Sequence, residues 1–223
     1  MKIVSGSTVT YLDHMGDDLA VANAARVSFG KKKDVLDEAD AKLIRYLAKH
    51  AHWTPFAHCM LSLHVSVPIF VSRQLVRHTV GVVINEESRR YVDDEPAIYL
   101  PEHWRSRPEK SIKQGSGGLL VAEANANAAG IAGQAAGQAL AAYGRLLDIG
   151  VAPEQARMVL PLNMMTQFIW TGSLAAWARI CGLRLDAHAQ SETRDVAEQI
   201  AGIARGRFPI SWGALVYGSE GEA

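Results

Sequence analysis

Residues 59–78, "CMLSLHVSVPIFVSRQLVRH", change period at a single proline. Up to Val67 the chain alternates, with Leu61, Leu63, Val65 and Val67 set against Met60, Ser62, His64 and Ser66. Period two marks a strand, because successive side chains point to opposite faces. Pro68 has no N–H to give a ladder, so the strand ends there. "IFVSRQLVRH" then reads as a helix that carries Arg73, Gln74, Arg77 and His78 towards its end. A chain that makes this switch folds as mixed α/β.

The flanking segments extend that reading. "KIVSGSTVTYL" is alternating and rich in β-branched residues, and reads as one first strand. "GDDLAVANAARVSF" reads as a helix with acids in its first turn. "DVLDEADAKLIRYLAKH" is a stronger helix, with Leu36, Leu43, Ile44 and Leu47 apolar. From Val92 to Gly118 no period holds and three prolines intervene, which predicts a long loop. The Ala-rich segment 119–150 is helical by propensity, and Leu119, Leu120, Ile131, Leu140, Leu146 and Leu147 predict that it is buried. Pro153 starts a helical turn and Pro161 breaks it. "NMMTQFIWT" reads as a strand, and "SLAAWARICGLRL" and "QSETRDVAEQIAGIARGRF" as helices. No repeat and no linker composition divides the chain, so residues 1–223 are expected to form one domain.

Charge narrows the function classes. Lys plus Arg and Asp plus Glu both number 23, so the net charge is zero. That argues against a general nucleic-acid coat or a membrane-surface protein, and any anion site must be local. No signal-like segment opens the chain, and no apolar run reaches the roughly 18 residues of a membrane span. Cys59 and Cys181 sit in apolar contexts, as expected of a reduced, cytoplasmic protein.

One local cluster stands out. "RHTVGVVINEESRRY", residues 77–91, puts cations at both ends of an apolar, glycine-containing turn, with carboxylates and Ser88 beside them. A strand edge needs none of this, whereas an anion pocket would use arginine forks, a hydroxyl and turn N–H groups. The plain alternative is a solvated helix end whose cations oppose the dipole. There is neither a Walker loop nor a G-x-G-x-x-G fingerprint. The histidines of "HAHWTPFAH" lack zinc spacing, so no metal is expected, and His52 and His58 beside an aromatic pair suit a flat ligand ring instead. Arg184, Asp186 and His188 fall at a helix junction, where an Arg184–Asp186 ion pair is the simplest expectation.

Together these pieces resemble the flavin-dependent (alternative) thymidylate synthases. The resemblance rests on "AARVSF", "HWTPFAH", "HVSVPIFVSRQLVRH", "RHTVGVVINEESRRY" and "ARMVLPLNMMTQFIWT" with "LRLDAHAQSE", in that order over about residues 20–205. It implies a central sheet flanked by helices, with active sites at subunit interfaces of a homotetramer. The implied activity is FAD-dependent reductive C5-methylation of dUMP, UMP or both, with methylenetetrahydrofolate as carbon donor and NADPH as reductant. It implies that Gln74, Arg77, Glu86, Glu87, Ser88, Arg90 and Arg157 line the nucleotide site. Arg184 would be catalytic, at a uracil carbonyl. Ser28, Thr54, Arg77, His78, Asn85, Ser173, Arg179 and His188 would touch the flavin, with His52 where the folate stacks. No enzymic thiol is needed, which sets the chain apart from cysteine-dependent thymidylate synthases.

The chain also departs from the family pattern. Thr79 stands where the third residue of an Arg-His-Arg triplet is expected, and six residues rather than five separate His78 from Asn85. Ala57 and Arg179 replace the usual Glu and Asn. Some relatives methylate UMP in nucleoside-antibiotic biosynthesis, and this one could be of that kind. A homologue that binds nucleotide or flavin without turnover is the other reading these departures leave open.

Overall fold

The computed structural model describes residues 1–92, 94–108 and 115–218. Residue 93 and residues 109–114 of the predicted loop lie outside that range, as do the last five residues of the expected domain.

The switch at Pro68 is realised as β3 (Met60–Pro68) running directly into α4 (Ile69–Leu75). β3 is a central strand of a four-stranded antiparallel sheet of order β2-β3-β6-β4, with β2 at Thr8–Met15, β4 at Val82–Glu86 and β6 at Met165–Ser173. The alternation predicts the burial. Leu61, Leu63, Val65 and Val67 are fully buried, while Met60, Ser62, His64 and Ser66 are not. Each large apolar side chain so removed from water contributes about 1.5–3 kcal/mol. The expected single first strand is two: β1 (Ile3–Val4) pairs in parallel with β5 (Ile98–Tyr99), and β2 follows after Gly6. The predicted 92–118 loop therefore contains a short strand.

Helices cover the buried face. α7 (Leu174–Arg184) follows β6 without a loop, and the Ser173 hydroxyl caps it by accepting from the Ala176 N–H at 3.3 Å. Trp177 of α7 packs edge-on against Trp170, with ring centroids 4.7 Å apart, and donates its indole N–H to the Leu61 carbonyl at 3.1 Å. α8 (Ser191–Arg207) packs beside α7. α1 (Asp18–Arg26) and α2 (Glu38–Lys49) close one end, joined by the buried carboxylate of Asp40 to Arg26 and Lys33. The short helix α3 (Thr54–Ala57) leads into β3. After α8, α9 (Pro209–Trp212) is tied to the body by the Asp18 carboxylate, which accepts from the N–H groups of Ile210 and Ser211 at 2.9 and 2.8 Å.

Two further expectations are corrected. Residues 82–86, read as part of a turn, form the edge strand β4, pairing Val82–Glu86 with Gly172–Phe168. β-branched residues favour a pleated, half-buried edge, and only residues 77–81 turn. The Ala-rich helix α5 (Ala122–Asp148) exists, but within this chain only Ala136 and Tyr143 of it are buried. Leu119 and Ile131, expected in the core, are 66% and 64% exposed. Of its small residues only Ala136 is buried, in a small separate cluster with Ile98 and Met164.

Candidate active site

Helix α4 places its polar residues on two stripes. Its first N–H groups are held by chain preceding β6: Ile69 donates to the Met164 carbonyl at 2.9 Å and Phe70 to that of Leu162 at 3.0 Å. Helical turns continue past Leu75, with Val76 donating to Ser72 and His78 to Leu75. Arg73 and Arg77 are four apart and share one side, as do Gln74 and His78 on the next.

The first stripe faces a cleft of about 500 Å³. Arg73 and Arg77 enter from α4, Glu86, Glu87 and Arg89 from the end of β4, and Arg157 from the 3₁₀ turn after the helical turn α6 (Pro153–Ala156). Four guanidinium groups thus meet two carboxylates. Glu86 accepts from the Thr166 hydroxyl at 2.7 Å. Glu87 lies 3.6 Å from Arg89, which also bonds Asp94 at 3.0 Å. Arg157 is steadied by donating to the Glu154 carbonyl at 3.2 Å. Arg73, Arg77 and Arg157 have no ion-pair partner among the described residues, which leaves forks for an anion. Ser88 and Arg90, expected at the nucleotide, do not line this cleft; the Arg90 Nε–H donates to the Ser88 hydroxyl at 3.1 Å.

The second stripe meets α7. The Arg184 Nε–H donates to His78 Nε2 at 3.0 Å, and Arg184 Nη2 donates to the Gln74 carbonyl at 3.3 Å. Since Nε–H can only donate, His78 must be neutral with its proton on Nδ1. Burial, then the nearby cations Arg184 and Arg179, hold its pKa below the ordinary value, in agreement. The expected Arg184–Asp186 pair is not formed. Asp186 instead bonds the N–H and the Nδ1 of His188, at 2.7 and 2.9 Å. That contact lowers the Asp186 pKa.

Behind Gln74 runs a row of polar side chains. The Gln74 amide nitrogen donates to Gln190 Oε1, the Gln190 amide nitrogen donates to Glu192 Oε2 at 2.9 Å, and Arg105 Nη2 bridges both Glu192 oxygens at 2.7 and 2.8 Å. Gln190 and Glu192 lie within the quoted "AHAQSE", but nothing in the sequence distinguishes their roles. Thr166 carried no signal beyond its place in a strand.

The remaining predicted residues fall on other surfaces. Ser28, His52 and Thr54 line a cleft of about 740 Å³ walled by Phe29, Tyr46 and Trp53. An Arg26 nitrogen, Nη1, is buried there without a hydrogen-bond partner. Exposed aromatic walls and an orphaned donor fit a flat heteroaromatic ring with acceptor atoms, as a flavin has. Ser173 and Arg179 cluster at the start of β4: Arg179 donates to the Val80 carbonyl, and Gly81 sits against Ser173. Gly81 needs its positive φ of 75°, and a Cβ there would lie 3.1 Å from that of Ala176. Asn85 is exposed opposite Ile169, itself 49% exposed. His188 lines a polar cleft with Arg105, Gln190 and Arg194. Arg77, Glu86, Glu87 and Arg157 are therefore brought together, as are Gln74, His78 and Arg184, whereas Ser28, His52, Thr54 and His188 stand apart within one chain.

Residues 10–210 match the family model described as thymidylate synthase complementing protein. A flavin-dependent thymidylate synthase of Kosmotoga olearia is 38% identical over 218 residues, covering 97% of this chain and 93% of the relative. One from Thermus thermophilus is 42% identical over 215 residues, covering 96% of this chain and 77% of the relative. The crystal structure of a UMP/dUMP methylase, PolB from Streptomyces cacaoi bound with 5-Br dUMP, superposes with a TM-score of 0.86 at 33% identity, covering 97% of each chain. The same enzyme bound with 5-Br UMP superposes equally well, at 32% identity.

Proposed function

Because the chain belongs to the thymidylate synthase complementing protein family, the flavin-dependent thymidylate synthases, we propose that it methylates C5 of a uridine 5′-monophosphate, taking both dUMP and UMP. One observation carries this reading: a cleft with four arginines lies against one stripe of α4, and Arg184 is held on the next. The first suits a 5′-phosphate and the second a pyrimidine carbonyl. Arg77 and Arg157 bind the phosphate from within the cleft, and Ser88 and Arg90, just beyond Glu87 in the chain, would join them. Glu86, which accepts from the Thr166 hydroxyl, and Glu87, beside Arg89, orient the groups of the cleft. Gln74 and Arg184 hold the base.

The chemistry asks for electron density at C5. A guanidinium at the uracil carbonyl stabilises the charge that develops as the ring becomes nucleophilic. Neutral His78 and the Gln74 carbonyl hold Arg184 in place beforehand, so little reorganisation is required. The cysteines are poor nucleophiles: burial pushes the Cys59 thiol up to about 11 and the Cys181 thiol up to about 12. FAD, when bound, supplies the hydride chemistry, with NADPH as electron source and methylenetetrahydrofolate as carbon donor. Ser28, Thr54, His78, Asn85, Ser173, Arg179 and His188 would hold the flavin, with His52 beside the folate.

These residues lie on separate surfaces of one chain, which supports sites completed between subunits of a homotetramer. The exposed length of α5 supports the same reading. Residues 1–223 would then act as one domain in the cytoplasm. Among the described residues no helix is long and apolar enough to cross a membrane.

The test incubates the purified protein with FAD, NADPH and methylenetetrahydrofolate. Equal dUMP and UMP are supplied, and the methylated nucleotides are read by mass. Both products are expected. A pocket that merely lacks a partner for an added hydroxyl discriminates only about 100-fold, and in this reading a wall against the 2′-hydroxyl would have to come from the turn after His78, which Thr79 and the extra residue before Asn85 alter. dTMP alone would overturn the dual specificity, and no methylated product would overturn the function.

A further inference from the structure

Gln74 is the only base contact proposed above whose chemical sense is reversible. An amide turned end for end has nearly the same shape, but presents two donors where it had an acceptor. Which end faces the ligand is decided from behind. We propose that Glu192, acting through Gln190, is a positioning residue that fixes the Gln74 amide with its oxygen towards the base, and that this row makes the site choose uracil over cytosine. The proposal rests on the reading of Gln74 and Arg184 as base contacts.

The row is directional from its buried end. Glu192 is 7% exposed, and Arg105 bridges both its oxygens. Burial pushes the carboxyl up, but the bonds from Arg105 and Gln190 outweigh it and leave the pKa lowered. An ionised carboxylate only accepts. Gln190 must therefore give it the amide nitrogen, and does so at 2.9 Å. That turns Gln190 Oε1 towards Gln74, which must answer with its own nitrogen. Gln74 Oε1 is left as an acceptor with no donor among the described residues, on a residue whose backbone carbonyl accepts from Arg184, a guanidinium that only donates.

A donor beside an acceptor complements the imide edge of uracil, a carbonyl acceptor next to the N3–H donor. On cytosine the N3 atom is itself an acceptor and the neighbouring C4 group a donor. Its N3 lone pair would face that of Gln74 Oε1, and its amino group would face a cation. Sites with fixed polar groups discriminate strongly because a mismatched partner is left unpaired.

The experiment titrates the FAD-loaded holoenzyme with dUMP and with dCMP by calorimetry, for the wild type, Gln190→Met and Glu192→Gln. Gln190→Met keeps the Arg105–Glu192 pair whole and guards against loss of folding in Glu192→Gln. The wild type should prefer dUMP by about 100-fold or more. In either variant Gln74 is free to turn, and the dUMP-to-dCMP affinity ratio should fall by at least about tenfold, mostly because dCMP binds better. Equal weakening of both nucleotides with the ratio unchanged would overturn the proposal in favour of a merely structural row, as would failure of both variants to fold. A wild type that binds dUMP but does not discriminate would overturn this proposal alone. One that binds neither nucleotide would overturn the proposed function with it.

Discussion

Replacing Arg184 with alanine separates what this side chain does for the reaction from what it does for the fold. In the ground state it makes two hydrogen bonds, to His78 and to the Gln74 carbonyl, at a half-buried position. Each is worth about 0.5–1.5 kcal/mol net, and water can replace both, so the variant should fold. The proposed transition-state role is larger. Losing a donor aimed at developing charge costs about 2.7–4 kcal/mol, or about two to three powers of ten in rate. His78 supplies an internal control. Arg184 is the second cause of its lowered pKa, after burial, so the imidazole should titrate higher in Arg184→Ala without returning fully to its ordinary value. The assay is single-turnover conversion of saturating nucleotide by reduced holoenzyme, alongside NMR titration of His78. A rate within tenfold of wild type, with His78 titrating higher as expected, would refute the catalytic role of Arg184.

Gly81→Ala should destabilise the protein to urea by about 1–3 kcal/mol, combining left-handed strain of about 1–2 kcal/mol with the 3.1 Å approach to Ala176. Gly30→Ala, at φ 62° with nothing within 4 Å, should show the strain alone, and equal losses at the two sites would refute the packing argument. His78 has a folded pKa below its unfolded value, so the stability it contributes is fully present above about pH 6.5. It is lost as pH falls through the folded pKa. His78→Gln should flatten that acid limb in thermal melts. Iodoacetamide at neutral pH should leave Cys59 and Cys181 unmodified in the native protein, as peptide mass will show, because burial holds both thiols protonated.

Much of the fold was legible because alternation and helical period are local. β3, β6, α2, α7 and α8 lie where their patterns put them. β4 was missed because a five-residue edge strand inside a glycine-bearing, charged stretch gives too few alternations to outweigh its turn residues. The burial of α5 was not legible because small residues at helical spacing favour close packing without saying how much of the helix this chain's own core covers. At the site, residue types identified the anion cleft, and the five blocks identified the family. The partners of Arg184 were not readable, since His78 and Gln74 are more than a hundred positions away while Asp186 is two. Nor was the Arg105–Glu192 pair, which joins residues 87 apart.

The pleat of β4 imposes a counting rule on this segment. Asn85 and Glu86 point to opposite sides of the sheet, and Glu86 must meet the Thr166 hydroxyl on one of them. A single extra residue inside the strand would exchange the two sides and turn Glu86 away from the arginine cleft. The surplus residue between His78 and Asn85 can therefore be accommodated only ahead of Val82, where Gly81 turns the chain. Natural length variation here should be confined to residues 79–81, or come in twos within the strand. An engineered one-residue deletion at 79–80 should be tolerated where the same deletion at 83 or 84 abolishes nucleotide binding.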